Sequence, residues 1–290
     1  VAAFEAAVAA LEGGAAALAY GSGMAAIHGA LLAAGARAGT TVVAAHDVYG
    51  ATYALLGKLL ASQGVTTRFV DVSDIPATET AIKEARPVAV IAETISNPLL
   101  KVADVKALAG LAHLAGAKLI IDNTFATPVL CRPLALGADY VVHSATKYLG
   151  GHGDVLGGVV VVGNEAGRVD LYGNNKLLGA NLAPQEAWLA HRGLKTLPLR
   201  MERQSRNAAV VAGWLGGHGR VAGVNFPGLS SHRQHELAGR QFGGELWGAM
   251  VSFDALAAGR GEVFRFLEAL RLIQPATTLG DVYTLALYPA

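Results

Sequence analysis

Short runs of β-branched residues alternate with Ala- and Leu-rich stretches from the start of the chain to about Val162. Several of these runs are apolar throughout, which is typical of strands buried on both faces of a parallel sheet. The pattern predicts strands at 41–44, 67–70, 88–91, 118–121, 140–142 and 158–162. It predicts intervening helices at 3–11, 24–34, 52–62, 78–85 and 102–115. This alternation indicates an α/β domain with a mostly parallel sheet.

The pattern changes near Leu199. A helical stretch at 187–206 leads away from the predicted sheet, and strands at 221–224 and 250–253 with a helix at 263–270 indicate a smaller α+β unit. We therefore predict a large domain at residues 1–199 and a small carboxyl-terminal domain at 200–290. We expect the small domain to be incomplete.

Composition limits the class of partner. The chain has 290 residues, of which 52% are hydrophobic and 16% charged, so it can bury a sizeable core. Its formal net charge is +1, which is no excess of positive charge for a polyanion, and we expect no nucleic acid partner. The longest uncharged stretch, 13–36, is rich in Ala and Gly and includes His28, so we expect no membrane span.

Cysteine and histidine usage argues against disulfides and metals. One cysteine, Cys131, can form neither an internal disulfide nor a multi-cysteine metal site, which is typical of a reducing compartment, and we expect a cytoplasmic protein. The spacing of His143, His152 and Asp154 matches no known pattern of metal ligands. We predict no metal site.

The segment His143-Ser144-Ala145-Thr146-Lys147-Tyr148 directly follows an apolar strand. Ligands of α/β proteins bind where strands end, and desolvation there lowers the pKa of a lysine. Lys147 could therefore form a Schiff base with an aldehyde cofactor, while Ser144 and Thr146 bond its phosphate. In isolation, however, a Ser-x-Thr-Lys segment is more often a solvated loop.

An acidic residue, Asp122, stands at the end of the strand predicted just before this one. A carboxylate in that position can keep a pyridine ring nitrogen protonated, which makes the ring an electron sink. The structural alternative is that Asp122 caps the following turn. The residue by itself supports both interpretations equally.

A glycine-rich turn, Gly21-Ser22-Gly23-Met24-Ala25-Ala26, follows a possible short strand and opens a helix. Backbone N–H groups at such a turn suit a phosphate. The turn also matches a dinucleotide fingerprint, with Asp47 as a ribose-binding acid, which would make the protein an NAD-dependent oxidoreductase. That alternative gives no role to Asp122 and Lys147. A cofactor with a single phosphate accounts for the turn and for these two residues as well.

Two further residues follow predicted strands. Tyr49 could stack on a flat cofactor, although an ordinary half-buried tyrosine would look the same in sequence. Asn97 could bond a ring hydroxyl, although Asn-Pro is also a plain turn signal.

These motifs occur together and in order with Glu93-Thr94-Ile95-Ser96-Asn97-Pro98, Asp122-Asn123-Thr124-Phe125-Ala126-Thr127-Pro128 and Arg192-Gly193-Leu194-Lys195-Thr196-Leu197. The whole chain resembles the Cys/Met-metabolism (transsulfuration) family of pyridoxal-phosphate enzymes. That family includes cystathionine γ-synthase, cystathionine γ-lyase and β-lyase, methionine γ-lyase and the homoserine-ester sulfhydrylases. The resemblance implies the aspartate-aminotransferase-like fold of type I and a homotetramer, a dimer of dimers with shared active sites.

The resemblance also implies a role for each matching residue. Lys147 would carry pyridoxal 5'-phosphate, Asp122 would bond the pyridine nitrogen, and Tyr49 would stack on the ring and assist proton transfer. Asn97 would contact the ring hydroxyl, and Thr278 would help to bind the substrate carboxylate. The phosphate would be held by Gly23, Met24, Ser144 and Thr146.

Some family positions differ or lie outside the chain. Thr278 replaces the usual serine, Thr277 stands where cystathionine-handling γ-enzymes usually have glutamate, and Ala51 stands where methionine γ-lyases usually have cysteine. The resemblance puts the tyrosine and arginine that reach a neighbouring subunit's phosphate before Val1. It puts the arginine that binds the substrate carboxylate after Ala290.

The predicted function is γ-elimination or γ-replacement on a sulfur amino acid or a homoserine ester, by a carbon–sulfur lyase or a transferase. An O-acyl-homoserine sulfhydrylase and a cystathionine β-lyase are alternatives within the family. An NAD-dependent oxidoreductase and an inactive relative retained as an assembly subunit are alternatives outside it. The sequence does not choose among methionine, cystathionine, homocysteine and acylated homoserine.

Overall fold

The computed structural model describes residues 1–256 and 259–289. Its main element is a seven-stranded sheet. The strands are β1 (Ala16–Tyr20), β2 (Thr41–Ala45), β3 (Thr66–Val70), β4 (Ala89–Glu93), β5 (Lys118–Asp122), β6 (Tyr140–Ser144) and β7 (Gly158–Val162). The spatial order is β1-β7-β6-β5-β4-β2-β3, and β7 is antiparallel to both its neighbours while the other pairs are parallel. The predicted α/β class with a mostly parallel sheet is confirmed.

Helices cover both faces of this sheet. In the first part of the chain they are α1 (Ala2–Glu12), α2 (Gly23–Ala33), α3 (Gly50–Ala54, continued by wider π-type turns over Leu55–Leu60), α4 (Ile75–Ala85), α5 (Val105–Leu114), α6 (Thr127–Leu130) and α7 (Glu165–Leu178). A short 3₁₀ turn occupies Pro133–Leu136, and an irregular wide turn occupies Ala145–Leu149.

Side-chain caps decide where the helices begin. Ser22 Oγ accepts a hydrogen bond from Ala25 N at the start of α2, and Asp74 Oδ1 does the same for Ala77 N in α4. Asp104 Oδ1 accepts from Ala107 N, so α5 begins at Val105 rather than at the predicted residue 102.

The second part of the chain contains α8 (Pro184–Leu194), α9 (Leu197–Gly216), α10 (His235–Phe242), α11 (Arg260–Ala269), the antiparallel pair β8 (Val221–Asn225) and β9 (Ser252–Ala255), and the short parallel pair β10 (Gln274–Pro275) and β11 (Leu285–Ala286). The single helix predicted at 187–206 is wrong. The first helix ends at Leu194 and a second begins at Leu197. Pro198 lacks a backbone N–H and is therefore accommodated in the first turn of the second helix. The domain boundary at residue 199 stays a prediction, and α9 runs through it.

Two elements had no clear pattern in the sequence. In α7 the buried residues are Leu171 and Asn175, so the helix has almost no apolar stripe to reveal it. In β1 the residues are mostly alanine, which favours a helix as much as a strand, and its pairing with β7 decides the outcome.

The core lies on both sides of the sheet, because alternate residues of each strand point to opposite faces. On β6, for example, Val141 belongs to the same core cluster as Leu119 of β5 on one face, and Val142 belongs to the same cluster as Ile120 on the other. Neither residue of β6 is exposed. This two-sided burial explains why the strands read as continuous apolar runs.

Two glutamines attach the second part of the chain to the first. Gln234 accepts from Val102 N at 3.1 Å and donates to Val102 O at 2.9 Å. Gln241 accepts from Val105 N at 3.2 Å and donates to Ala103 O at 3.1 Å. Each amide thereby satisfies a backbone N–H and a backbone C=O in the stretch between β4 and the first residue of α5.

Across 1–256 and 259–289, we find no helix that combines the length and the apolar character needed to cross a membrane.

We expect Gln234→Ala to lower the free energy of unfolding by about 1–3 kcal/mol, because it leaves the N–H and C=O of buried Val102 without partners. Denaturant unfolding measures the change, with exposed Gln63→Ala as the matched control. An unfolding midpoint equal to that of the wild type would contradict the assignment.

Candidate active site

The parallel strands bring their carboxyl ends to one edge of the sheet, and the predicted site residues follow these ends. Gly23 follows β1, Tyr49 follows β2 and Asn97 follows β4, while Asp122 and Ser144 are the last residues of β5 and β6. Asp122 is in register with Glu93 on β4 and with Val142 on β6. Residues far apart in sequence are therefore neighbours at this edge.

Lys147 lies in the wide turn that follows β6. Its backbone angles, φ −94° and ψ −127°, are not helical and interrupt the turn at this residue. Its Nζ donates a hydrogen bond to Thr278 Oγ1 at 2.9 Å. Burial lowers the pKa of Lys147, which makes the uncharged, nucleophilic amine more accessible than that of a surface lysine.

Thr278 reaches Lys147 because the chain near Gly280 passes very close to the lysine backbone. Gly280 has φ +83°, and a Cβ there would stand 2.5 Å from the N of Tyr148 and 2.7 Å from the carbonyl C of Lys147. Glycine meets both conditions, the left-handed backbone and the close approach. The structure thus brings together two predicted site residues that are 131 positions apart in the sequence.

Asp122 uses its two carboxylate oxygens differently. Oδ1 accepts hydrogen bonds from Thr124 N at 2.9 Å and from Thr124 Oγ1 at 2.5 Å. For Oδ2 the part of the chain that the structure describes offers no hydrogen-bond donor. Burial raises the pKa of Asp122, while the hydrogen bonds from Thr124 and the nearby His143 act in the opposite direction. The turn cap considered from the sequence is real, and it leaves one oxygen available.

Thr124 is a site residue to which the sequence assigned no role. Its hydroxyl donates to Asp122 and accepts from Ser144 N at 2.9 Å, so it joins the ends of β5 and β6. The signal for it was the Asp-x-Thr spacing, which is typical of a turn closed by the aspartate side chain.

The beginning of α2 packs directly against Ser144. A Cβ on Gly23 would stand 2.9 Å from Ser144 Cβ and 3.0 Å from its Oγ, so this contact excludes any larger residue. The first N–H groups of a helix, here those of Gly23 and Met24, have no partner within the helix. These N–H groups and the adjacent Ser144 hydroxyl form an arrangement suited to an anion such as phosphate.

Three other predicted site residues, Thr146, Tyr49 and Asn97, follow strands at the same edge. Their contacts give less direct evidence of a role in cofactor binding. Thr146 Oγ1 accepts from Gly157 N at 3.1 Å and donates to Gly157 O at 3.3 Å, so its hydroxyl already has protein partners. The Tyr49 side chain is 51% exposed, and Asn97 is partly buried. The phosphate, stacking and hydroxyl roles of these three residues stay predictions.

A buried polar network lies behind the strand ends. Glu12 Oε1 contacts His143 Nε2 at 2.6 Å and accepts from Asn123 Nδ2 at 2.9 Å, and Asn123 Oδ1 accepts from Thr94 Oγ1 at 2.7 Å. Glu12 and His143 are almost fully buried. His143, which was weighed as a metal ligand, is thus the partner of a buried glutamate.

The residues fit a pyridine aldehyde that carries a phosphate. Gly23 and Ser144 form a cradle that a single Cβ would fill, the free Oδ2 of Asp122 can accept from a ring nitrogen, and Lys147 presents an amine of lowered pKa. Phosphate, ring nitrogen and aldehyde each have a matching protein group at one edge of the sheet.

Known proteins are similar to this chain in sequence and in fold. The family model described as "Cys/Met metabolism PLP-dependent enzyme" matches residues 1–290. A cystathionine gamma-lyase of Bacillus subtilis (strain 168) is 44% identical over 288 residues, which is 99% of this chain and 74% of that protein. An L-methionine gamma-lyase of Pseudomonas putida is also 44% identical over 288 residues, 99% of this chain and 71% of the relative. A cystathionine beta-lyase of Lactococcus lactis subsp. cremoris is 42% identical, with coverage of 99% and 74%.

Solved structures agree with these relatives. A cystathionine gamma synthase from Xanthomonas oryzae pv. oryzae superimposes with a TM-score of 0.94 at 37% identity, covering 99% of this chain and 73% of that one. A cystathionine gamma-lyase from Lactobacillus plantarum has a TM-score of 0.92 at 39% identity, with coverage of 97% and 72%. These findings support a pyridoxal-phosphate enzyme over the NAD-dependent oxidoreductase, and the phosphate role of the Gly21–Ala26 turn stays a prediction. The chain belongs to the Cys/Met-metabolism family of pyridoxal-phosphate-dependent enzymes.

Proposed function

We propose that this enzyme catalyses γ-elimination or γ-replacement on a sulfur amino acid or a homoserine ester, with Lys147, Asp122 and Tyr49 as catalytic residues. The observation that carries the proposal is the amine of Lys147, whose pKa is lowered by burial, at the same sheet edge as the free Oδ2 of Asp122. An amine nucleophile opposite a carboxylate is the pair that pyridoxal-phosphate chemistry requires.

The chain's residues would hold the cofactor at both ends. Gly23 and Met24 N–H groups and the hydroxyls of Ser144 and Thr146 would bind the phosphate. Asp122 Oδ2 would accept from the protonated ring nitrogen, whose positive charge would offset the effect of burial on the carboxyl. When bound, pyridoxal phosphate supplies an electron sink for charge that develops on the substrate's α-carbon.

Proton movement falls to Lys147 and Tyr49. Lys147 Nζ removes the proton from the substrate's α-carbon, and its lowered pKa favours the uncharged amine that this step needs. Thr278 Oγ1, at 2.9 Å, holds that amine in place and would help to bind the substrate carboxylate. Tyr49 covers the ring face and moves a proton at its phenolic oxygen. Asn97 orients the ring through its hydroxyl.

The choice of substrate rests on the relatives and on a few positions. The three relatives described above are named for lyases of cystathionine or methionine. Thr277 offers no carboxylate for a distal ammonium group, and Ala51 offers no thiol after Tyr-Gly. Elimination and replacement would use the same residues, so a sulfhydrylase and a β-lyase stay as alternatives. We propose a cytoplasmic homotetramer, a dimer of dimers with shared active sites, on the family resemblance.

Release of a 2-oxo acid from methionine, cystathionine, homocysteine and O-acetylhomoserine, each with and without an added thiol, tests the reaction. A lyase releases the 2-oxo acid without thiol. A γ-replacement enzyme consumes the homoserine ester faster when thiol is present. No turnover of any of the four would contradict the proposed function.

Lys147→Ala should abolish the visible absorption band of the cofactor-loaded protein and lower turnover by about 10²- to 10⁴-fold, because it removes both the nucleophile and the base. Absorption spectra after addition of pyridoxal phosphate and dialysis provide the measurement. Lys176→Ala, on the exposed face of α7, is the control and should leave the band unchanged. A wild-type protein that stays colourless under these conditions would refute the proposal.

Gly23→Ala should weaken pyridoxal phosphate binding by about tenfold, because its Cβ would approach Ser144 too closely and force the phosphate cradle apart. Titration of cofactor-free protein with pyridoxal phosphate measures the affinity. Gly110→Ala in α5 is the matched control, since a Cβ there meets no atom within 4 Å. Equal affinity for the two variants would rule out the cradle.

A further inference from the structure

Glu93 is a buried carboxyl at the site to which the proposed mechanism assigns no task. It is the last residue of β4 and is 9% exposed. Its Oε1 accepts a hydrogen bond from the backbone N of Tyr49 at 2.5 Å. The backbone N–H of Asn97 lies close enough to lower the pKa of the same carboxyl. One carboxyl therefore holds the segment that carries Tyr49 and lies beside the segment that carries Asn97.

The contact with Tyr49 crosses between neighbouring strands. Tyr49 follows β2, which pairs with β4, and it immediately precedes α3. No side chain from the Tyr49 segment itself caps that helix. The Tyr49 side chain is 51% exposed, so packing constrains it weakly, and the hydrogen bond to Glu93 is what fixes its backbone. A displaced backbone would move the phenol away from the ring it is proposed to cover.

Asn97 depends on the same group. It lies four residues after Glu93, in the segment that leaves β4, and its side chain makes no hydrogen bond within residues 1–256 and 259–289. Its position is thus set by its backbone, whose N–H lies near the Glu93 carboxyl. One carboxyl therefore lies beside the backbone of both residues proposed to contact the cofactor ring away from Asp122.

The charges around Glu93 favour its protonated form. Burial raises the pKa of Glu93 well above its usual range, and the carboxyls of Asp122 and Asp47 raise it further. The hydrogen bonds from Tyr49 and Asn97 lower it without reversing the result. The cation on this side, Lys101, lies 3.8 Å from Asp47 and 2.8 Å from Asp71, so those two carboxylates already neutralise it.

We propose that Glu93 is a positioning residue that fixes the Tyr49 segment around the cofactor and supports the adjacent Asn97 segment. Its carboxyl is uncharged in this role. Asp122 then carries the single negative charge that faces the cofactor ring. This inference rests on the proposed function, because it assigns Glu93 a role through residues of that site.

The test compares Glu93→Gln with Glu93→Ala in the cofactor-loaded enzyme. Glutamine keeps an uncharged acceptor of nearly the same size, so we expect cofactor affinity within about threefold of the wild type and an unchanged pH profile. Alanine removes the acceptor, so we expect cofactor affinity to fall by about tenfold or more. Glu268→Ala, at an exposed position of α11, is the control and should change nothing.

Amide hydrogen exchange at Tyr49 gives a readout that does not depend on turnover. The Tyr49 N–H should lose protection in Glu93→Ala and keep it in Glu93→Gln. The loss of activity caused by Tyr49→Phe should also shrink in the Glu93→Ala background, because a tyrosine that is no longer held contributes less.

The outcomes separate the inference from the proposed function. A colourless wild type overturns the proposed function and the inference with it. A yellow wild type in which Glu93→Gln is as defective as Glu93→Ala overturns the inference alone, because the charge of Glu93 would then be needed. The inference also fails if Glu93→Ala binds cofactor and protects the Tyr49 amide as the wild type does.

Discussion

The parallel pairing of β5 with β4 and β6 is the constraint on which the site depends. Parallel strands end at the same edge of a sheet, so this pairing puts Asp122 beside Glu93 on one side and beside the end of β6 on the other. A shift of one residue in either register would turn Asp122 to the opposite face. The core on both faces opposes such a shift, because each strand is buried on both sides.

The site concentrates carboxyl groups where burial penalises charge. Asp122 Oδ1 accepts two hydrogen bonds from Thr124, and Oδ2 stays available to accept one from a cofactor nitrogen. Burial and the neighbouring carboxyls of Asp122 and Asp47 raise the pKa of Glu93 and favour its protonated form. The same desolvation lowers the pKa of Lys147, because burial disfavours its cation. One physical effect, the loss of water at the strand ends, thus shifts the pKa of all three groups: the carboxyls of Glu93 and Asp122 upward and the amine of Lys147 downward.

The polar network behind the strand ends supports the site from the other face of the sheet. Asn123 connects Thr94, Glu12 and the carbonyl of Cys131, so it ties the segments after β4 and β5 to the end of α1. Buried polar groups are tolerated when they are hydrogen-bonded, and every side-chain polar atom of Asn123 has a partner. Glu12 Oε2 and His143 Nδ1 have no hydrogen-bond partner among residues 1–256 and 259–289, so the energetic cost of this network falls on one buried pair.

Much of the molecule follows from local sequence patterns. The buried strands are apolar runs, and the Asp122 and Lys147 motifs stand directly after two of them. The fold class and the position of these two candidates at the strand ends were therefore predictable from the pattern, whereas their roles came from the family resemblance. Local chemistry also contains the turn at Asp122, because an aspartate bonds to the residue two positions on. The family match over residues 1–290 agrees with the resemblance that the motifs carried.

Tertiary structure alone decided which groups meet. Glu12 and His143 contact each other, as do Lys147 and Thr278, although more than a hundred residues separate each pair, and no periodicity encodes such a contact. The same holds for Glu93, whose partner Tyr49 lies on a neighbouring strand, and for the two separate roles of the Asp122 oxygens. Sequence determines which groups end each strand, because helix and strand periodicities are local; sheet register and chain packing determine their partners, because those contacts form between distant segments.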